Sequence, residues 1–210
     1  MPSLVVGLTG MPGSGKTLVA SELVSRFAYR CVGLGSLLTE VPENSADPQA
    51  TVERWRAASE LRERMGAAVL AERAWSVINS ADDQRFVVDG IRSLDECAYF
   101  SKRSEFFLAA FQRPAALRYV RLRASRRTSL FRSDPKALYA LDRQELILGT
   151  GNVVAQADFI WFSTAGEARL PTDAARAAKQ IHLAASSSSD ALTAGGDVAG
   201  PDRYACILGN

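Results

Sequence analysis

The chain has 210 residues, 47% apolar and 23% charged, with 25 Lys plus Arg against 23 Asp plus Glu and a formal charge of +2. That is the composition of a globular chain of about one domain, and it argues against wholesale disorder and against a dedicated nucleic-acid or membrane-surface binder, without excluding nucleic acid as a partner. No apolar run approaches the roughly 20 residues a membrane-spanning helix needs.

The predicted elements alternate between strand and helix, which points to an α/β domain with a mainly parallel sheet of five strands. Leu4 to Thr9 is a short apolar run suited to a buried strand. Leu18, Val19, Leu23, Val24 and Phe27 follow at helical spacing, and Arg30 to Leu34 forms a second strand. Ala46 to Ile78 reads as mostly helical with a break near Met65-Gly66, and Phe86-Val87-Val88-Asp89 is a third buried strand. Ser93-Leu94-Asp95-Glu96 has the spacing of a capping box, in which side chains at both ends satisfy free helix amides. Phe106 to Phe111 makes a fourth strand, with Pro114 suited to the first turn of the next helix. Phe159 to Phe162 is the fifth strand, and Asp173 to Leu183 the last helix. From Ala184 the composition turns to Ala, Ser, Gly and Asp, so residues 1–183 are read as the domain and 184–210 as a disordered tail.

Cys31, Cys97 and Cys206 are scattered, and His182 stands alone, so neither a disulfide framework nor a structural zinc site is expected. Met1-Pro2-Ser3-Leu4 carries no basic region leading into an apolar secretion signal. A cytoplasmic location without membrane contact is the expectation.

The strongest motif is Gly10-Met11-Pro12-Gly13-Ser14-Gly15-Lys16-Thr17, which fits G-x-x-x-x-G-K-[ST]. A chance match in a chain this long is roughly a one per cent event on background frequencies. It follows an apolar strand and opens an amphipathic helix, as its mechanics require. Glycines let the backbone wrap so that amide N–H groups point inward at phosphate oxygens. Lys16 sits at the positive end of a helix, where a cation is disfavoured until a polyphosphate arrives. Thr17 is placed to put its hydroxyl on Mg²⁺. The plainer alternative is a glycine-rich turn that caps a helix.

Asp89 ends a buried strand, a position suited to holding the metal or its water, or to acting as a base. Its plain alternative is an aspartate capping a turn. The next residues are Gly90-Ile91-Arg92, not the glutamate with which many motor ATPases orient an attacking water, and no Asn-Lys-x-Asp guanine motif occurs. Between Pro114 and Ser133 stand six arginines (118, 121, 123, 126, 127 and 132) and no acidic residue. Such a run reads as a solvated helix face, a nucleic-acid patch, or a lid whose guanidinium groups close on the γ-phosphate. Arg126 and Arg127, where the helical pattern breaks, are the preferred lid residues, and Arg143 is a further phosphate or transition-state contact.

Gly7-Leu8-Thr9-Gly10-Met11-Pro12-Gly13-Ser14-Gly15-Lys16 resembles the opening of a largely archaeal family of P-loop kinase-like proteins, itself similar to dephospho-CoA kinase and nucleoside monophosphate kinases. Leu61-Arg62-Glu63-Arg64-Met65-Gly66, Val88-Asp89-Gly90-Ile91-Arg92-Ser93 and Ala155-Gln156-Ala157-Asp158-Phe159-Ile160 follow in the same order and at similar distances, so the resemblance spans about residues 3–163. It implies a three-layer P-loop NTPase fold with the Asp89 strand beside the phosphate-loop strand. It also implies a helical acceptor-binding insertion over about 36–78, an arginine-rich lid over 123–134, ATP with Mg²⁺, and an acceptor held by Arg62, Arg64 and Arg92, with Arg73 a weaker candidate. Two departures stand out. The Gly-Asp-x-x-Arg stretch common beyond the second strand of such kinases is here Gly35-Ser36-Leu37-Leu38-Thr39, and the lid reads Leu130-Phe131-Arg132-Ser133-Asp134.

The expected function is transfer of the γ-phosphoryl group of ATP to a nucleotide-like small molecule. The alternatives are an ATP-binding regulator with weak or no transfer, and a kinase acting on a nucleic-acid hydroxyl.

Overall fold

A computed structural model describes residues 2–38, 48–124 and 136–193, with side chains from 56 onward in the second stretch and up to 187 in the third. Five parallel strands form one sheet: β1 (Leu4–Thr9), β2 (Arg30–Gly33), β3 (Arg85–Asp89), β4 (Glu105–Gln112) and β5 (Phe159–Phe162), in the order β2-β3-β1-β4-β5. Parallel strands need crossovers, and the helices that supply them cover both faces. The described helices are α1 (Lys16–Phe27), α2 (Pro48–Met65), α3 (Val69–Asn79), α4 (Leu94–Ser101), α5 (Ala115–Ala124), α6 (Lys136–Ile147), α7 (Thr150–Ala155) and, after the last strand, α8 (Leu170–Thr193).

The side-chain alternation of β1 divides the core. Val5 joins Leu70, Ile78, Phe86, Val88, Phe100 and Leu108 on the face covered by α3, α4 and α7. Leu4, Val6 and Leu8 join Leu23, Val87, Phe111, Ala177 and Ile181 on the face covered by α1 and α8. All six β1 residues are buried, as the central strand of a parallel sheet must be. Neighbouring strands bring Leu8 opposite Asp89 and Thr9 opposite Ala110. The ends of β1 and β3 therefore open at the same edge.

The expected break in the long helical stretch falls at Gly66, between α2 and α3. The expected capping box is formed: Ser93 Oγ accepts from the Glu96 N–H, and the Glu96 carboxylate accepts from the Ser93 N–H. The chain end departs from expectation. α8 begins at Leu170, earlier than Asp173, and runs to Thr193, ten residues beyond Leu183. Residues 184–193, assigned by composition to a disordered tail, are helical, and Ala185 is fully buried against the α1 side of the core. The stripe Ala174, Ala177, Ala178, Ile181, Ala185 has helical spacing, and alanine, the best helix former, allows close approach. Most of the proposed lid, including Arg126, Arg127 and Arg132, and residues 39–47 of the proposed insertion lie outside the described residues.

Candidate phosphate-loop site

Residues 10–15 leave β1 and enter α1 with Gly10, Gly13 and Gly15 all at positive φ. Two of these glycines are also required sterically. A Cβ on Gly10 would lie 2.3 Å from the Phe111 carbonyl oxygen, and one on Gly13 would lie 2.9 Å from the Arg118 carbonyl oxygen. Only a bare backbone fits between β4 and α5 at those points. Ser14 N donates to the Met11 carbonyl, closing the turn, while the Ser14 hydroxyl is buried without a hydrogen-bond partner. An unsatisfied buried hydroxyl beside a loop of inward-curving backbone fits an anion such as phosphate.

Lys16 Nζ folds back on the loop, donating to the carbonyls of Gly10 (2.6 Å) and Met11 (3.2 Å). Burial pushes its pKa below the usual lysine value, against the pull of Asp89 and Glu145, with Arg92 and Arg118 adding to the depression. An incoming polyphosphate would oppose that depression, since its negative charge favours the ammonium form. Thr17 Oγ1 donates to Asp89 Oδ2 at 2.9 Å, so the last motif residue and the β3 carboxylate face the same point. Gly90 N and Ile91 N both donate to the Leu8 carbonyl, and Thr9 Oγ1 donates to the Ile91 carbonyl, which fixes the turn after Asp89. A hydroxyl and a carboxylate are the hard oxygen donors Mg²⁺ takes alongside phosphate oxygens. Among the described residues there is no cluster of three or more His, Cys, Asp or Glu able to cage a metal by itself.

A cavity of about 370 Å³ opens beside the loop, lined by Gly13, Gly15, Lys16, Thr17, Arg121 and Glu167 among others. Glu167 is shared by two arginines: Oε1 accepts from Arg113 at 3.0 Å and Oε2 from Arg121 at 2.8 Å.

The arginines expected to hold an acceptor are differently placed. Arg62 is mostly buried and donates to Glu96 Oε1 at 2.8 Å. Arg92 donates from Nε to Glu145 Oε2 at 2.8 Å and from Nη1 to the Gly90 carbonyl. Glu96 is fully buried; its Oε2 also accepts from Arg92 N, so Arg62, Glu96, Arg92 and Glu145 form one network. Burial pushes the Glu145 carboxyl up, but the charge and hydrogen bond of Arg92, with the charge of Lys16, hold it below the usual carboxylate value. The same partnership raises Arg92 further above the usual arginine value. Arg64 is exposed, and Arg73 donates to the Leu37 carbonyl.

Arg143, expected to contact phosphate, is exposed; α6 turns Asp142 and Glu145 inward instead. Those carboxylates, with Glu96 as more than a cap, are what sequence reasoning missed. A buried carboxylate carries no local signal when its partner lies 24, 34 or 53 residues away. Arg118 stands in the sequence only as one of six arginines, yet it is buried, at 5% exposed, where Arg121 and Arg123 of the same helix are not. Its i, i+4 relation to Leu122, which packs on Leu138 and Leu141 of α6, was the available clue.

Fold and site together define a P-loop protein of the α/β kinase type, with a five-stranded parallel sheet carrying the phosphate loop at its carboxyl edge. The sequence model of the AAA domain family matches residues 9–127. A UPF0200 protein of Methanothermobacter thermautotrophicus is 32% identical over 167 residues, covering 76% of this chain and 81% of that one. A UPF0200 protein of Hyperthermus butylicus is 34% identical over 160 residues, covering 75% and 83%. The chain belongs to the AAA domain family and to the UPF0200 proteins. In fold it is similar to shikimate kinase from Acinetobacter baumannii in complex with shikimate (TM-score 0.54, 14% identity, 90% of this chain and 95% of that one). It is also similar to TT1252 from Thermus thermophilus (TM-score 0.52, 21% identity, 87% and 98%). Among the described residues no helix is long and apolar enough to cross a membrane.

Proposed function

We propose that the protein is an ATP-dependent, Mg²⁺-assisted kinase that transfers the γ-phosphoryl group to a nucleotide-like small molecule. The observation that carries this reading is the convergence of Lys16, Thr17 and Asp89 at one sheet edge beside a loop with an unsatisfied buried hydroxyl. Thr17 and Asp89 would hold Mg²⁺, which when bound neutralises charge on the β- and γ-phosphate oxygens. Lys16 leaves the Gly10 and Met11 carbonyls for the phosphates, and the loop amides orient the chain of phosphates for transfer. Catalysis of this kind is mostly positioning and charge neutralisation. The acceptor lies on the Arg62 and Arg92 side, where those guanidinium groups must exchange part of their carboxylate contacts for the substrate.

A second reading is an ATP-binding regulator with little transfer. It is favoured by the pairing of Arg62 with Glu96 and Arg92 with Glu145, which occupies the very groups an anionic acceptor needs. Incubation with γ-labelled ATP, Mg²⁺ and a metabolite pool, followed by mass identification of the labelled product, separates the two. The kinase predicts a labelled nucleotide-like product; nucleotide binding without any labelled product would overturn it in favour of the regulator.

A further inference from the structure

We infer that Arg118, locked by Asp142, is a positioning residue for the phosphate loop: it fixes the Pro12–Gly13 peptide so that the Gly13 N–H faces the anion. This deepens the phosphate-loop reading and rests on it. The Arg118 side chain is 6% exposed, and its guanidinium donates from Nη1 and Nη2 to the two carboxylate oxygens of Asp142 at 2.8 and 2.6 Å. Tyr119 Oη donates to Oδ2 of the same carboxylate at 2.8 Å, so two neighbouring side chains of α5 hold Asp142. Nε donates to the Arg113 carbonyl, and Nη1 has a second acceptor, the Pro12 carbonyl, at 3.1 Å. The planar fork, held by the Asp142 pair, keeps Nη1 aimed at the Pro12 carbonyl as well.

In a trans peptide the carbonyl and the following N–H point in opposite directions. A Pro12 carbonyl drawn toward Arg118 therefore turns the Gly13 N–H away from α5, and Gly13 lines the cavity beside the loop. Pro12 has no N–H of its own, so this amide is the first donor available after Met11. The Gly13 backbone also lies against Arg118, where a Cβ would come within 2.9 Å of its carbonyl and 3.2 Å of its Cα. Arg118 thus acts on the phosphate through the loop: its ion pair with Asp142 joins α5 to α6, and its hydrogen bond to the Pro12 carbonyl joins both to the loop.

The test is titration of the ¹⁵N-labelled full chain with tripolyphosphate, following amide resonances. In the wild type the Gly13, Gly15 and Lys16 amides shift together. Arg118→Lys and, separately, Asp142→Asn keep charge or volume but break the fork; each leaves the Gly15 and Lys16 shifts, sharply reduces the Gly13 shift, and weakens tripolyphosphate about tenfold. Folded variants that respond and bind like the wild type overturn the inference. Should a variant not fold, the wild type still decides: Gly13 silent while Gly15 and Lys16 respond also overturns it. All three silent removes the phosphate-loop reading as well, a result distinct from the first two.

Discussion

Arg92 and Glu145 show how a single buried pair ties the reading of the site to stability. Glu145 is 4% exposed and accepts from both Arg92 Nε and Thr150 Oγ1. Removing Arg92 leaves a buried carboxylate with only a hydroxyl and the more distant Lys16, so Arg92→Ala is expected to cost about 2–3 kcal/mol near neutral pH, measured by urea unfolding. The pH dependence has a defined sign. Arg92 holds the Glu145 pKa below its unfolded value, so the stability it contributes is present above about pH 4.5 and is lost as pH falls through the lowered native value. The gap between wild type and Arg92→Ala should narrow in acid; a gap independent of pH would contradict the pairing. The same residue limits what the sequence could reveal. Asp-Gly-Ile-Arg announced a cation after β3, but its carboxylate partner lies 53 residues away on another helix, and no local pattern encodes that.

Within the elements, boundaries follow local chemistry closely. β5 spans the expected residues, the Ser93–Glu96 box caps α4, and the break between α2 and α3 falls at Gly66. What was not legible was the length of α8, because a run of Ala and Ser looks too weakly apolar to pack, while Ala185 is fully buried in the cluster formed with α1 and the sheet. Ala185→Asp tests this directly. Burying a carboxylate there should destabilise by about 3 kcal/mol in thermal or urea unfolding, whereas a mobile segment would tolerate it with no change. A second element-scale test is the end of α1. Ala28 adopts φ 56 as its left-handed cap, and its N–H bonds to the Leu23 carbonyl. A left-handed alanine costs about 1–2 kcal/mol, so Ala28→Gly should stabilise by about 0.5–1 kcal/mol after the added entropy of glycine in the unfolded chain.

For the molecule as a whole, the sheet order places β1 and β3 side by side, and everything proposed depends on that adjacency. It brings Asp89 to Thr17 across 72 residues of sequence and leaves the phosphate loop, α5 and the chain after β5 around one cavity. The parallel α/β architecture and the loop were legible from alternating periodicity and from eight consecutive residues. The pairing of Arg62 and Arg92, on which the proposed acceptor side rests, was not, since both are set by long-range pairs with Glu96 and Glu145. The most direct measurement of the central claim is calorimetric titration of MgATP into the wild type and Lys16→Ala, with unfolding curves for both. The account predicts saturable binding by the wild type, weakened at least about tenfold in a variant that unfolds as cooperatively as its parent. Equal binding by the two proteins, or none by the wild type, would contradict it.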